Sequence, residues 1–251
     1  MHQLGYKIEV GHDLLKNSGN WARDCLPEKT KKIALVSNPK VFGLYGETVK
    51  ENLEKSGFEV FVWLMKDGER YKNFRSLETA LEFFSQNKLT RTDAALALGG
   101  GVVGDLTGFA SAIYLRGIDF LLIPTTLLSM IDSSVGGKTA VNTDFGKNLI
   151  GAFHQPRGVL IDVETLKTLP RRELTAGFCE AVKQGAIASR ELFDQTADFL
   201  KNYSPNRFKK YFSDEKFISE LENLISAQVA FKAEIVSQDE KESISRTDEK
   251  S

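Results

Sequence analysis

The stretch "DAALALGGGVVGD", residues 93–105, decides the fold of this chain. An apolar run over residues 94–98 leads into the pattern Gly99-x-Gly101-x-x-Gly104, and a helical pattern follows it. A glycine-rich turn between a buried strand and a helix exposes backbone N–H groups at the positive end of the helix, where a pyrophosphate binds. The pattern alone also fits a tight strand-to-helix turn, but its flanking elements favour a dinucleotide site.

Strand and helix patterns alternate on both sides of this turn. Residues 41–56 and 76–89 carry apolar residues at helical spacing, and Ser76 is the predicted N-cap of the second helix. Four further apolar runs predict buried strands, namely "KKIALVSNP" (31–39), "FEVFVWLM" (58–65), "DFLLIPTTLL" (119–128) and "GVLIDVETL" (158–166). This alternation predicts an α/β fold, with a Rossmann-like and mainly parallel sheet over residues 1–169.

The pattern changes to helical after Leu169-Pro170. Residues 170–251 are therefore predicted to form a second, all-helical domain. Within it, the apolar positions of residues 218–229 fall on one helix face, which is typical of core packing. The last residues, 240–251, contain almost no apolar side chains and are expected to be disordered.

Composition and charge exclude several classes of function. The chain has 251 residues, with 33 Lys plus Arg against 34 Asp plus Glu, so no basic field favours nucleic acid or an anionic membrane. Cys25 and Cys179 are far apart and indicate no disulfide framework, which makes the cytoplasm the expected compartment. The N-terminus lacks the layout of a signal peptide, and no apolar run has the length of a membrane span.

A second motif, "MIDSSVGGKTAVN" (130–142), ends like an ATP-binding P-loop. The full P-loop pattern needs a glycine at position 132, where this chain has Asp132, so ATP binding is disfavoured. The surrounding residues 123–156 are dense in polar side chains, which fits either a ligand site or a hydrogen-bonded bundle of loops. Glu180 and Lys183, at helical spacing i and i+3, fit either a surface ion pair or a partly buried pair in a site.

Over residues 97–187 these motifs closely resemble the 3-dehydroquinate synthase family of the sugar-phosphate cyclases. The resemblance implies a lyase of the shikimate pathway, which serves aromatic amino acid biosynthesis. Such an enzyme uses NAD and a divalent metal, zinc or cobalt, to convert DAHP to 3-dehydroquinate with elimination of phosphate. Two alternatives stay open: another cyclase, similar to 2-deoxy-scyllo-inosose synthase, or a non-catalytic NAD-binding remnant. An iron-dependent alcohol dehydrogenase would leave residues 130–142 unexplained.

The resemblance also implies the residues of the site. Lysine and arginine side chains suit the carboxylate and phosphate of the implied substrate. Arg116 is expected to reach the site of a neighbouring subunit, which implies a homodimer, and Glu180 is the expected metal ligand. The expected substrate contacts are Asp132, Lys138, Asn148, Lys183 and Lys232. The expected NAD contacts are Asp67, Gly68, Glu69, Arg70, Tyr71, Lys72, Gly101, Val102, Val103, Gly104, Asp105, Thr125, Thr126, Lys138, Lys147, Thr165, Leu166, Lys167 and Thr168.

The chain departs from the family pattern in its metal ligands. The family takes two histidines from later segments, whereas this sequence has only His2, His12 and His154. Arg246 stands where the family has a substrate-binding arginine, but its neighbours do not match. The expectation is a truncated helical domain, an incomplete metal site, little or no synthase activity, and an apolar helix face at residues 218–229 that lacks packing partners.

Overall fold

The computed structural model describes residues 5–238. Its strands are β1 (Lys7–Gly11), β2 (Lys32–Ser37), β3 (Glu59–Leu64), β4 (Ala94–Gly99), β5 (Asp119–Pro124), β6 (Lys138–Thr143), β7 (Gly146–Phe153) and β8 (Gly158–Asp162). Its α-helices are α1 (Ser18–Cys25), α2 (Pro39–Val41), α3 (Glu47–Lys55), α4 (Phe74–Gln86), α5 (Gly101–Ile113), α6 (Arg171–Ala188), α7 (Arg190–Asn202), α8 (Phe208–Tyr211) and α9 (Glu215–Gln238).

Six strands form one parallel sheet in the order β1-β8-β5-β4-β2-β3. Strand β4 lies at its centre, with β5 on one side and β2 on the other, and all of its residues are buried. Parallel strands are covered by helices on both faces, which explains why these runs are continuously apolar rather than alternating. The predicted α/β fold with a mainly parallel sheet is confirmed.

The remaining two strands form a hairpin outside this sheet. Strands β6 and β7 pair antiparallel, with Lys138 opposite Phe153, and they lie against α5. The polar segment that sequence patterns left open is therefore partly a β-hairpin. Its residues do not alternate in burial, because residues 139–141 of β6 are all buried whereas most of β7 is exposed.

Helix α4 begins three residues earlier than predicted. The side chain of Asn73 accepts a hydrogen bond from the backbone N–H of Ser76 at 3.0 Å, so Asn73 is the N-cap. The prediction of Ser76 as N-cap was wrong, because Asn caps a helix as well as Ser does. With Asn73 as the cap, the helix is about one turn longer than predicted. That added turn includes the exposed Phe74.

The helical part packs around Phe217, which is fully buried. Its ring lies 4.9–5.8 Å, centroid to centroid, from five other rings, those of Phe199, Tyr203, Phe208, Tyr211 and Phe212. On α9, Leu221, Leu224, Ile225 and Val229 are also buried. The expectation that this helix face would lack partners was wrong, because α6, α7 and the segment of residues 129–133 cover it.

Helix α9 is also tied to the sheet. The imidazole Nδ1 of His12, just after β1, lies 2.8 Å from Glu222 Oε1. Buried residues of the sheet and of α6 to α9 join in one hydrophobic cluster. The division into domains at residues 169 and 170 stays a prediction, and the predicted disordered tail, residues 240–251, lies outside the described residues. No helix within residues 5–238 is long and apolar enough to cross a membrane.

The aromatic cluster gives a first testable prediction. Truncation of Phe217 to alanine should lower the free energy of unfolding by about 3–5 kcal/mol, because it removes a fully buried ring and leaves a cavity. The measurement is denaturant unfolding followed by circular dichroism. The matched control is Phe193→Ala, whose ring is 36% exposed and whose loss should cost less than about 1 kcal/mol. Equal losses for both variants would show that the helical part does not depend on this cluster.

Candidate functional site

A cleft of about 690 Å³ opens at the carboxyl ends of the parallel strands. Ligands of open α/β sheets bind at this edge, because the loops that follow the strands converge there. The predicted residues that line it are Asp67, Gly68, Glu69, Lys72, Gly101, Val102, Val103, Asp105, Thr125, Thr126, Asp132, Lys147, Asn148, Thr165 and Thr168. The cleft therefore gathers residues from loops that are more than one hundred positions apart in the sequence.

The floor of the cleft is the glycine turn between β4 and α5. Strand β4 ends at Gly99, Gly100 is the N-cap, and α5 begins at Gly101. A Cβ atom at Gly99 would lie 2.7 Å from Val103, one at Gly100 would lie 3.0 Å from Thr126, and one at Gly101 would lie 3.1 Å from Ser133. A side chain at Gly99 would force Val103 to shift, and one at Gly100 or Gly101 would push its neighbour by a few tenths of an ångström. Its bare backbone and the N-terminus of α5 fit a dinucleotide pyrophosphate.

A buried ion pair lies beside this turn. The ammonium group of Lys72 contacts the carboxylate of Asp105, and the side chain of Lys72 is only 4% exposed. Burial raises the pKa of Asp105 to about 6, although the neighbouring Lys72 lowers it. Because the pKa in the unfolded chain is about 3.8, this carboxyl group makes the free energy of unfolding fall as the pH rises from about 4 to about 6.

The loop of residues 67–72 is held against the β6–β7 hairpin. The side chain of Asn142 donates to Glu69 Oε1 at 2.8 Å, and its backbone N–H donates to the carbonyl of Lys72 at 2.8 Å. The Asn142 side chain also accepts from the backbone N–H of Asn148 at 3.0 Å, and Lys147 lies 3.9 Å from Glu69. This network closes one side of the cleft with backbone and amide groups.

Two more ion pairs lie at the helical side of the cleft. Lys232 on α9 is 2.7 Å from Asp132, and Lys183 on α6 is 2.7 Å from Glu180. The hydrogen bond from Lys183 to Glu180 raises the pKa of the Lys183 ammonium, and Asp132 adds to the effect. The Glu180–Lys183 pair is partly buried on its carboxylate side, at 15% exposure, so of the two interpretations of this pair the structure favours the partly buried one.

Asp132 sits on an irregular helical turn. Residues 129–133 form a π-helical turn, in which backbone groups lose their usual partners. The buried Gln184 of α6 donates its amide N–H to the carbonyl of Ile131 at 3.0 Å. This bond fixes the turn to the helix that carries Glu180 and Lys183.

Other predicted residues lie apart from the cleft wall. Arg116 is exposed, in a left-handed backbone conformation with φ 69°, at the end of α5 away from the glycine turn. Lys138 begins β6 and is half-buried. Leu166 is a core residue, and Lys167 lies 3.7 Å from Glu164. The residues predicted as contacts that do not line the cleft are Arg70, Tyr71, Gly104, Arg116, Lys138, Leu166, Lys167, Glu180, Lys183 and Lys232. All remain predictions as ligand contacts.

Glu180 is the single predicted metal ligand among residues 5–238. Within residues 5–238, no three His, Cys, Asp or Glu side chains are grouped closely enough to hold a metal ion. Glu180 is paired with Lys183, and His12 with Glu222. The ring of His154 stacks on Phe120 at 5.3 Å, and its Nε2 lies 2.9 Å from the carbonyl oxygen of Ile118. His2 and Arg246 lie outside the described residues.

Several residues that line the cleft were not predicted from the sequence. Asn38 follows strand β2, so its position at the end of a predicted buried strand could have identified it. Tyr45 donates to the carbonyl of Thr165 at 3.0 Å and closes another side of the cleft, which no local pattern indicates. The missed lining residues with polar side chains or backbone contacts are Asn38, Lys40, Tyr45, Lys66, Gly100, Ser129, Ser133, Arg172 and Glu173.

Comparison with known proteins places this site in a family. Residues 62–176 match the model of the 3-dehydroquinate synthase N-terminal family. The 3-dehydroquinate synthase of Picosynechococcus sp. is 45% identical over 238 residues, which cover 95% of this chain and 62% of that relative. The enzyme of the same name from Prochlorococcus marinus is 46% identical over 241 residues, which cover 96% of this chain and 64% of the relative.

Solved structures agree with the sequence matches. A 2-deoxy-scyllo-inosose synthase complexed with carbaglucose-6-phosphate, NAD+ and Co2+ superposes with a TM-score of 0.80 at 27% identity, over 92% of this chain and 59% of that one. A 2-epi-5-epi-valiolone synthase from Streptomyces hygroscopicus with NAD+ and Zn2+ gives 0.80 at 27% identity, over 95% and 63%. The chain spans about three fifths of the length of these relatives. By sequence, the chain is similar to the 3-dehydroquinate synthases over almost its whole length, and its residues 62–176 match the N-terminal model of that family.

Proposed function

We propose that this chain is the NAD-binding part of a 3-dehydroquinate synthase, a carbon–oxygen lyase that converts DAHP to 3-dehydroquinate and phosphate in the shikimate pathway. The observation that carries the proposal is the glycine turn at residues 99–101, which opens into a cleft lined by paired charges. Identity of 45–46% to 3-dehydroquinate synthases, against 27% to the other cyclases, favours DAHP over a different sugar phosphate.

The chain's own residues fit a bound dinucleotide. The backbone of Gly100 and Gly101 and the first turn of α5 would hold the pyrophosphate. Asp105, kept in place by Lys72, would accept a hydrogen bond from a ribose hydroxyl. When bound, NAD supplies reversible oxidation of a substrate alcohol, which acidifies the neighbouring C–H bond.

The paired lysines fit an anionic substrate. Lys183 and Lys232 present ammonium groups that are each held by a carboxylate, Glu180 and Asp132. A bound phosphate or carboxylate would compete with Glu180 and Asp132 for these ammonium groups. Each carboxylate therefore holds its lysine in position until an anionic ligand replaces it. Asn148, exposed near the cleft, would add an amide donor. These residues would orient the substrate toward the glycine turn.

The described residues do not by themselves fit a metal. Glu180 is the single predicted ligand, whereas a catalytic zinc normally has three protein ligands. No step is therefore assigned to a metal here. The relatives with Co2+ or Zn2+ support a divalent metal in the complete family site.

A homodimer in the cytoplasm completes the proposal. Arg116 is exposed and points to no charged partner of the cleft among residues 5–238, which suits an arginine that serves a second copy of the chain. Cys25 and Cys179 are free thiols, as expected in a reducing compartment.

Two assays test the proposed function. Calorimetric titration of the purified chain with NAD+ should give saturable binding, and Gly100→Val should abolish it because the added side chain enters the turn. Phosphate release from DAHP with NAD+ and Zn2+ or Co2+ then tests turnover. Release that needs both cofactors supports the synthase. NAD+ binding without release would instead favour the non-catalytic NAD-binding remnant, and no binding at all would contradict the proposal.

The raised pKa of Asp105 gives a pH prediction. If the ionised carboxylate accepts a ribose hydroxyl, NAD+ affinity should fall about tenfold between pH 7.5 and pH 5, because a group with a pKa of about 6 is then mostly protonated. Calorimetry at the two pH values measures this change. Asp105→Asn should bind more weakly at pH 7.5 and lose the pH dependence, whereas Asp119→Asn, at the opposite end of the sheet, should keep it. Tighter binding at pH 5 would contradict the assigned role.

A further inference from the structure

Two buried glutamines contact the elements that carry charged side chains at the helical side of the cleft. Gln184 lies on α6 and is 4% exposed, and Gln228 lies on α9 and is fully buried. Gln184 is one helical turn after Glu180, and Gln228 is one turn before Lys232. Each glutamine therefore lies four positions from one of these charged residues, on the same face of its helix.

The amide of Gln184 ties α6 to the π-helical turn that carries Asp132. Its Nε2 donates to the carbonyl oxygen of Ile131 at 3.0 Å, and only the NH₂ group of an amide can donate to a carbonyl. The helix passes so close that a Cβ atom at Gly177 would lie 2.5 Å from Leu127, just before the turn. Asp132 follows Ile131 directly, so the bond holds the backbone from which this carboxylate extends.

The amide of Gln228 ties α9 to α6 and α7 in the same way. Its Nε2 donates to the carbonyl oxygen of Ala181 on α6 at 3.2 Å and to Thr196 Oγ1 on α7 at 3.1 Å. The ion pair between Lys232 and Asp132, at 2.7 Å, then joins α9 to the π-helical turn. Two glutamine amides and one ion pair thus connect the turn, α6 and α9 in a closed ring of polar contacts.

Both glutamines carry an energetic cost that packing alone does not explain. The Oε1 atoms of Gln184 and Gln228 are buried and accept no hydrogen bond from any residue that the structure describes. A buried acceptor without a partner destabilises a protein, and an unbranched apolar side chain such as methionine would fill the same space without this cost. Glutamine at these two positions is therefore explained by what its NH₂ group holds in place.

We infer that Gln184 and Gln228 are positioning residues that hold Asp132, Lys183 and Lys232 as one anion-binding unit. Lys183 is the direct neighbour of Gln184 on α6, whereas Lys232 lies on α9. An anion that contacts both lysines needs a fixed separation between these helices, and the ring of polar contacts sets that separation. Neither glutamine touches the substrate, because both side chains are buried. The inference rests on the proposed function and assigns the residues that set the spacing of its substrate site.

The test is calorimetric titration of the purified chain with DAHP, in the presence of Zn2+ but without added NAD+, so that no turnover occurs. Gln184→Met removes the donor and keeps an unbranched side chain that fills the space. It should weaken DAHP binding about tenfold, because the π-helical turn is then no longer fixed to α6. The thermal unfolding midpoint should shift by less than about 4 °C, since removal of the unsatisfied oxygen offsets the lost hydrogen bond. Gln228→Met should weaken DAHP binding in the same direction.

A double-mutant cycle separates positioning from a purely structural role. Lys232→Ala should weaken DAHP binding about tenfold in the wild-type chain but less than about threefold in the Gln184→Met chain, because the lysine is then already misplaced. A purely structural role of Gln184 would give the same factor in both chains. Gln195→Met makes the same change at an exposed glutamine of α7 and should leave DAHP affinity unchanged.

The outcomes distinguish the inference from the proposed function. Equal factors for Lys232→Ala in the two chains, or a Gln184→Met chain that binds DAHP as tightly as the wild type, would overturn the inference and leave the proposed function in place. A wild-type chain that does not bind DAHP would overturn the proposed substrate and the inference together.

Discussion

The closeness of packing around Gly99, Gly100 and Gly101 is the constraint on which the rest of the site depends. Three different neighbours, from α5, from the loop after β5 and from the π-helical turn, each stand within about 3.1 Å of where a side chain would begin. A side chain at any of the three positions would therefore displace a neighbouring side chain. The same close packing places Thr126 and Ser133 at the cleft. It also places Asp132, the neighbour of Ser133, near the first turn of α5.

Three ion pairs stand in or beside the cleft before any ligand arrives. Lys72 with Asp105, Lys183 with Glu180, and Lys232 with Asp132 each pair a cation with an anion. For Lys72 and Asp105, the buried pair, pairing lowers the cost of burial, which would be large for an isolated charge. It also means that an anionic ligand gains less from each lysine than from a free one. Affinity then depends on shape and on several contacts formed together.

The sequence predicted the sheet because buried parallel strands are short and continuously apolar, and it predicted the glycine turn because the motif is local. It failed where two local signals compete and where long-range contacts decide the structure. The N-cap of α4 is Asn73 and not the predicted Ser76, because both residue types cap helices well and they lie three positions apart. The burial of α9 depends on rings from α7 and α8. Asn38 and Asp67 are 29 residues apart and meet only when β2 and β3 pair. The family resemblance supplied the site residues, and the structure supplied their arrangement.

The order of the strands has a consequence for biosynthesis. Among the strands of residues 5–238, β1 is made first, and it pairs with β8 alone, with Lys7 opposite Gly158. At translation rates of roughly 5–20 residues per second, β1 waits roughly 8 to 30 s for its partner to leave the ribosome. During that interval Ile8, the one buried residue of β1, has no partner strand beside it. Until β8 is made, β1 therefore has exposed backbone groups and one unburied isoleucine, and a chaperone that binds emerging chains could protect them.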